Sequence, residues 1–114
     1  MRSKLENEQA DDMLDEIIGN VQKSLVVKAK EYVRNDDRMH NFNKGSIKSG
    51  ISRERVLRGF RLKHDISTDD LLDDMDKGFM PTKEYVMEKY GDIINYNILE
   101  LMSILDKINK KLKT

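Results

Sequence analysis

Leu14, Ile18, Val21, Leu25 and Tyr32 recur at helical spacing, with Ile17 and Ala29 beside the stripe, and neither Gly nor Pro interrupts it after Gly19. The pattern predicts one long amphipathic helix over residues 10–34. A second stripe, Met87, Gly91, Ile94, Ile98, Leu101, Leu105, Ile108 and Leu112, follows Pro81. Proline suits the first turn of a helix, where its missing N–H would have no intrahelical partner. This stripe predicts about 30 residues of helix running to the C-terminus.

Between the stripes the periodicity breaks. Asn35, Asp36, Asp37, Asn41, Asn43, Gly45, Ser46, Ser49 and Gly50 compete with regular structure through side-chain bonding or backbone freedom. Residues 35–50 are therefore expected to form a long loop, docked by Met39, His40 and Phe42 at its centre. Ser52 is placed to cap a short helix from Arg53 to about His64. Ser67-Thr68-Asp69-Asp70 reads as a capping box opening another from Thr68 to about Lys77, where Gly78 stops it. No run of alternating β-branched residues with hairpin turns occurs, since Ser24-Leu25-Val26-Val27 lies inside the helical period. The expected fold class is all-α, two long and two short helices in a bundle, with residues 1–9 a flexible segment and 10–114 one domain.

Composition sharpens this picture. The 114 residues are 38% hydrophobic and 37% charged, with no Trp, and a chain this short buries only about 65% of its unfolded surface. Self-association would supply the missing core, so a homodimer or homotetramer is expected. No run approaches the roughly 18 apolar residues of a membrane span, and the N-terminus lacks the apolar stretch of a signal peptide. With no cysteine for disulfides, thiolate metal sites or nucleophiles, the cytoplasm is the default compartment. Lys plus Arg number 21 and Asp plus Glu 21, so no global basic excess draws the molecule onto nucleic acid, and no stable nucleic-acid binding is expected.

The chemistry concentrates on the last helix. Glu84, Glu88 and Asp92 stand at successive i,i+4 positions, and Asn95 shares their arc at about 100° per residue. No Lys or Arg at three- or four-residue spacing neutralises Glu88, and like charges so spaced repel by a few tenths of a kcal/mol. Such a ladder suits a hard cation such as Mg²⁺ or Mn²⁺, which takes carboxylate and amide oxygens and completes its shell with phosphate and water. It equally suits a solvated acidic stripe, or salt bridges to another helix. Lys28-Ala29-Lys30-Glu31-Tyr32 and Arg61-Leu62-Lys63-His64 bring cations to two helix ends, where a polyphosphate would need them. Against that, Glu31 could pair within its helix and His64 could serve a helix dipole. His40-Asn41-Phe42 offers an aromatic surface and an amide to a base, or else plugs the core with Phe42. The cluster Asp65, Asp69, Asp70, Asp73, Asp74 and Asp76 is explained by capping alone. Walker, dinucleotide-binding, paired-histidine zinc and EF-hand patterns are absent.

Taken together, Lys30-Glu31-Tyr32, His40-Asn41-Phe42, Lys63-His64 with Ser67, and Glu88-Lys89-Tyr90-Gly91-Asp92 with Asn95-Tyr96 resemble the phage-type MazG-like proteins. These are all-α nucleoside triphosphate pyrophosphohydrolases. The likeness covers roughly residues 22–105, and its most specific piece is Glu-x-x-Gly-Asp followed by Asn-Tyr on a long apolar helix. It implies Mg²⁺-dependent cleavage between the α and β phosphates of a nucleoside triphosphate, with a deoxynucleotide expected, inside a helical oligomer and, for a phage protein, in the host cytoplasm. In that frame Glu88 and Asp92 with Glu31 hold the metal, and Glu31 or Asp70 accepts the proton of the attacking water. Lys63, His64 and Arg61 neutralise the leaving pyrophosphate, and Asn95 and Tyr96 orient ligand or metal. Lys30, His40, Asn41 and Phe42 complete the substrate contacts. Two departures stand out: Lys89 replaces the Glu of the family's second carboxylate pair, and no Glu-x-x-Glu occurs. A non-catalytic helical module that binds a nucleotide or a protein through the same scaffold is the alternative, and a helical assembly protein with merely solvated carboxylates is a third.

Overall fold

The computed structural model describes residues 4–112, with the side chains of residues 31 and 32 outside the described set. Among the described residues the fold is all-α: α1 (Asn7–Tyr32), α2 (His40–Ser49), α3 (Arg53–Asp76) and α4 (Lys83–Leu112). The long helices at either end are the ones the apolar stripes predict. α1 nevertheless starts at Asn7, inside the segment expected to be flexible, because Glu6 and Gln9 form a reciprocal capping box. Residues 1–3 of that segment lie outside the described ones. Pro81 sits just ahead of α4 rather than in its first turn, since the Thr82 hydroxyl accepts from the Tyr85 N–H and caps the helix there.

The middle of the chain departs further from expectation. Most of the expected loop is helix α2, entered through a tight reversal in which Asn35 and Asp36 adopt left-handed backbone (φ 54° and 62°). Asp37 then accepts from the Met39 N–H and the Asn43 amide, which organises the start of the helix. Asn43, Gly45 and Ser46 have weak helix propensity, but α2 packs Met39 and Phe42 into the core against Val56, Leu57 and Leu99. Gly45 faces Val56 so closely that an added Cβ would lie 2.9 Å from its Cγ1. Tertiary burial outweighs local preference. Gly50, at φ 74°, then ends α2 in the left-handed conformation that glycine adopts without strain.

The two short helices expected after the loop are one continuous α3. Ser52 caps it as expected, accepting from the Arg55 N–H. The second capping box does not form: Thr68, buried inside the helix, donates its hydroxyl back to the Asp65 carbonyl. Buried Leu71 follows on the same packed face, so the helix runs through to Asp76.

α3 runs antiparallel to α4, with Arg58 on Glu100 and Arg61 on Asn97 along the seam. α1 runs parallel to α4, since Glu16 meets Lys83 and Ser24 meets Asn95. Leu57, only 1% exposed, lies at the centre of the core cluster. Truncation to alanine removes its packing and leaves a cavity, so Leu57→Ala is expected to lower unfolding stability by about 2–5 kcal/mol in urea titrations.

At the other end of the α3–α4 seam, a polar staple replaces apolar packing. Arg53 donates to Ser103 and Asp106, while Glu54 accepts from Ser103 and Lys107. Burial on its own would raise the Glu54 pKa, but the Lys107 and Ser103 hydrogen bonds outweigh it and hold it below the ordinary 4.5. Lys110 and then Arg53 likewise depress Asp106. A carboxylate with a lowered folded-state pKa stabilises the fold above its unfolded pKa, and that contribution is lost as pH falls through the folded value. Stability should therefore decline from about pH 4.5 downward, and Glu54→Gln should flatten the decline in acid titrations followed by circular dichroism.

Candidate functional site

Where α1, α3 and α4 meet, Asp92 lies buried at 7% exposure. A carboxylate there requires partners, because an isolated charge out of water is strongly disfavoured. Two arrive from different helices: the Lys28 ammonium of α1 is bonded to Oδ1, and Nδ1 of His64 on α3 lies 3.5 Å from Oδ2. Tyr96, one turn along α4, stacks on His64 with ring centroids 5.4 Å apart and an interplanar angle of 29°. Tyr96 stacks in turn on Phe60, and Phe60 meets Phe42 edge to face. An aromatic row thus runs from the core to the imidazole and fixes its plane. Asn95, 4% exposed, donates to the Ser24 hydroxyl at 2.8 Å, and its Oδ1 is buried without a hydrogen-bond partner.

Asp92 forms one wall of an open groove of about 530 Å³ between α1 and α4. α1 lines it with Glu16, Asn20, Ser24 and Lys28, each four residues after the last and so on one helical face. Glu84, Glu88 and Asp92 form the facing ladder on α4, with Met87 and Gly91 between its rungs. At the outer end Lys83 bridges to Glu16 at 2.6 Å, a hydrogen bond that raises the lysine's pKa. The groove is therefore lined by four carboxylates and two ammonium groups, a mixed field suited to an anion that arrives with a metal ion.

Of the residues singled out in the sequence, Lys28, Glu84, Glu88 and Asp92 line this groove, His64 and Asn95 touch its lining, and Tyr96 stands behind His64. Others lie elsewhere. Phe42 is 2% exposed and plugs the core, in keeping with the plug reading of its segment. His40 and Asn41 open α2, and neither lines the groove. Arg61 is engaged by Asn97 of α4 and by Asp65 of its own helix. Lys30, Lys63 and Asp70 are exposed and off the groove lining. The expectations placed on the Glu31 side chain lie outside the described residues.

Sequence reasoning missed Lys28 as the partner of Asp92, and with it the whole α1 wall. The four-residue polar ladder 16, 20, 24, 28 was the available signal, overshadowed by the apolar stripe on the same helix.

Glu88 and Asp92, one turn apart on the same wall of the groove, offer carboxylate oxygens of the kind a small hard cation takes when it brings its own phosphate oxygens and water. A closed cage is a different matter: among the described residues no three His, Asp or Glu side chains converge as a complete metal site. No described helix is long and apolar enough to cross a membrane. No family model, curated protein or solved structure matches the chain at a significant level. Function has to be read from the groove itself.

Proposed function

We propose that the protein is a Mg²⁺-dependent nucleoside triphosphate pyrophosphohydrolase, acting between the α and β phosphates and by preference on a deoxynucleotide. The observation that carries this reading is the buried Asp92 carboxylate, met by Lys28 and His64 from two other helices at the wall of a groove that also presents Glu88 and Glu84. Glu88 and Asp92 would hold the metal (Mg²⁺, or Mn²⁺ in its place), which when bound supplies charge neutralisation at the phosphates and a more acidic water. Lys28 and Lys83 offer ammonium groups to phosphate oxygens. His64, its ring held by Tyr96, keeps one nitrogen toward Asp92 and so orients that carboxylate. Asn95 and Ser24 tie α4 to α1 beneath the groove and keep its width constant.

The test is product analysis from a panel of deoxy- and ribonucleoside triphosphates with Mg²⁺, Mn²⁺ or EDTA. Metal-dependent release of monophosphate and pyrophosphate is expected. Absence of turnover with every nucleotide would overturn the reading. In that case the non-catalytic nucleotide-binding module becomes the better account, favoured by the way Lys28 already satisfies Asp92. Equal nucleotide binding with and without Mg²⁺ would be its mark.

The same reading includes a homodimer or homotetramer in the cytoplasm that binds no nucleic acid stably. Support for assembly comes from shape and surface. The radius of gyration is 17.1 Å, against about 13 Å for a compact chain of this length. The first half of α1 leaves Met13, Leu14, Ile17 and Ile18 exposed beside an apolar pocket lined by Val86, Tyr90 and Ile94. Light scattering at a monomer's mass across micromolar concentrations would count against assembly.

A further inference from the structure

Asp92 carries a buried negative charge, and the ion bonded to it is the Lys28 ammonium. A lysine is an unusual choice for a permanent structural partner at a buried carboxylate, where arginine's fixed two-pronged donor geometry would hold more firmly. Lysine instead offers a single charge on a flexible four-carbon stem. Its side chain here is 36% exposed while that of Asp92 is 9% exposed, so one end of the pair can leave into solvent and the other cannot. Lys28 also lines the groove, with Ser24 one turn behind it and the opposite wall formed by Glu88 and Gly91. The open volume that Lys28 lines lies beside the bond it makes to Asp92.

Resting on the functional reading above, we propose that Lys28 is a displaceable internal counter-ion. It neutralises Asp92 until a ligand arrives, yields that carboxylate to the divalent cation arriving with a nucleoside triphosphate, and then pairs with the polyphosphate. The exchange keeps Asp92 compensated at every stage, which a buried carboxylate requires. It also makes binding of metal and nucleotide mutually supportive: metal alone must evict Lys28, whereas metal with polyphosphate gives the evicted ammonium a new partner. His64 stays beside the second oxygen throughout and prevents the carboxylate from following the lysine out.

Mn²⁺ serves as the probe, titrated into the whole 114-residue chain by electron paramagnetic resonance, alone and with a non-hydrolysable α,β-imido deoxynucleoside triphosphate. Lys28→Met removes the competing cation and is expected to bind Mn²⁺ alone about tenfold more tightly, and the Mn²⁺-loaded nucleotide about tenfold more weakly, than wild type. Acetylation of Lys28 in the wild-type protein, read by mass spectrometry, supplies a check that needs no variant. Labelling should rise when Mn²⁺ is added alone and fall again when the analogue follows. Unchanged Mn²⁺ affinity in Lys28→Met, or Lys28 labelling indifferent to Mn²⁺, would overturn the counter-ion role while Mn²⁺–nucleotide binding by wild type left the functional reading standing. No Mn²⁺ uptake by wild type even with the analogue would overturn both.

Discussion

Asp92→Asn is expected to lower turnover of the preferred nucleoside triphosphate by at least about a hundredfold, with far-ultraviolet circular dichroism unchanged. The substitution preserves size and removes only the charge. Without that charge, Lys28 has no reason to remain at the wall, and the groove loses the buried anion around which its two ladders are arranged. The fold should survive: the lysine can turn to water through its exposed end, and the introduced amide would find His64 within reach. A fall in kcat with KM little changed would place the role of Asp92 in the chemical step, whereas a rise in KM alone would make it a binding residue. Turnover within threefold of wild type would remove Asp92 from the centre of the site.

The second large effect lies far from the groove. Arg53→Met should reduce unfolding stability by about 3 kcal/mol, because the guanidinium itself is largely out of water and its loss leaves the buried Ser103 and its other acceptors without their donor. The Arg53 side chain is 11% exposed and reaches the Ser103 hydroxyl and carbonyl, Asp106 and Asn43, so one residue ties α2, α3 and α4 together. Arg58 provides the control. It pairs with Glu100 across the same two helices from an exposed position, and ion pairs with a solvent-exposed cation contribute little. Arg58→Met should be indistinguishable from wild type in the same urea titration. Equal effects of the two substitutions would mean that the staple is no more than surface charge.

α1 and α4 are legible in the sequence because each carries an uninterrupted apolar stripe. α2 is not, because Asn41, Asn43, Gly45 and Ser49 are turn formers in isolation. What makes them helical is the burial of Met39 and Phe42 and the contact of Gly45 with Val56, all supplied from outside the segment. The break expected near Ser67 is missing for the same reason: Thr68 and Leu71 are buried on a helix face that α4 covers, and a cap there would have cost that packing. At the site, Asp92, Asn95, His64 and Tyr96 can be grouped because chemistry and helical spacing agree. Lys28 cannot be told from Lys30, since choosing between them requires the rotation of α1 against α4, which no local pattern encodes.

Because α1 and α4 are the first and last helices, the two walls of the groove are far apart in the chain: Lys28 and Asp92 by 64 positions, Ser24 and Asn95 by 71. The α2–α3 contact between Asn43 and Arg53 spans only 10. Loop-closure entropy favours that short-range α2–α3 pairing, whereas closing α1 onto α4 spans most of the chain. Detachment of α1 would therefore dismantle the groove and strip Leu25 from the edge of the hydrophobic cluster, while the packing of Phe42, Leu57 and Leu99 among α2, α3 and α4 would stay in place.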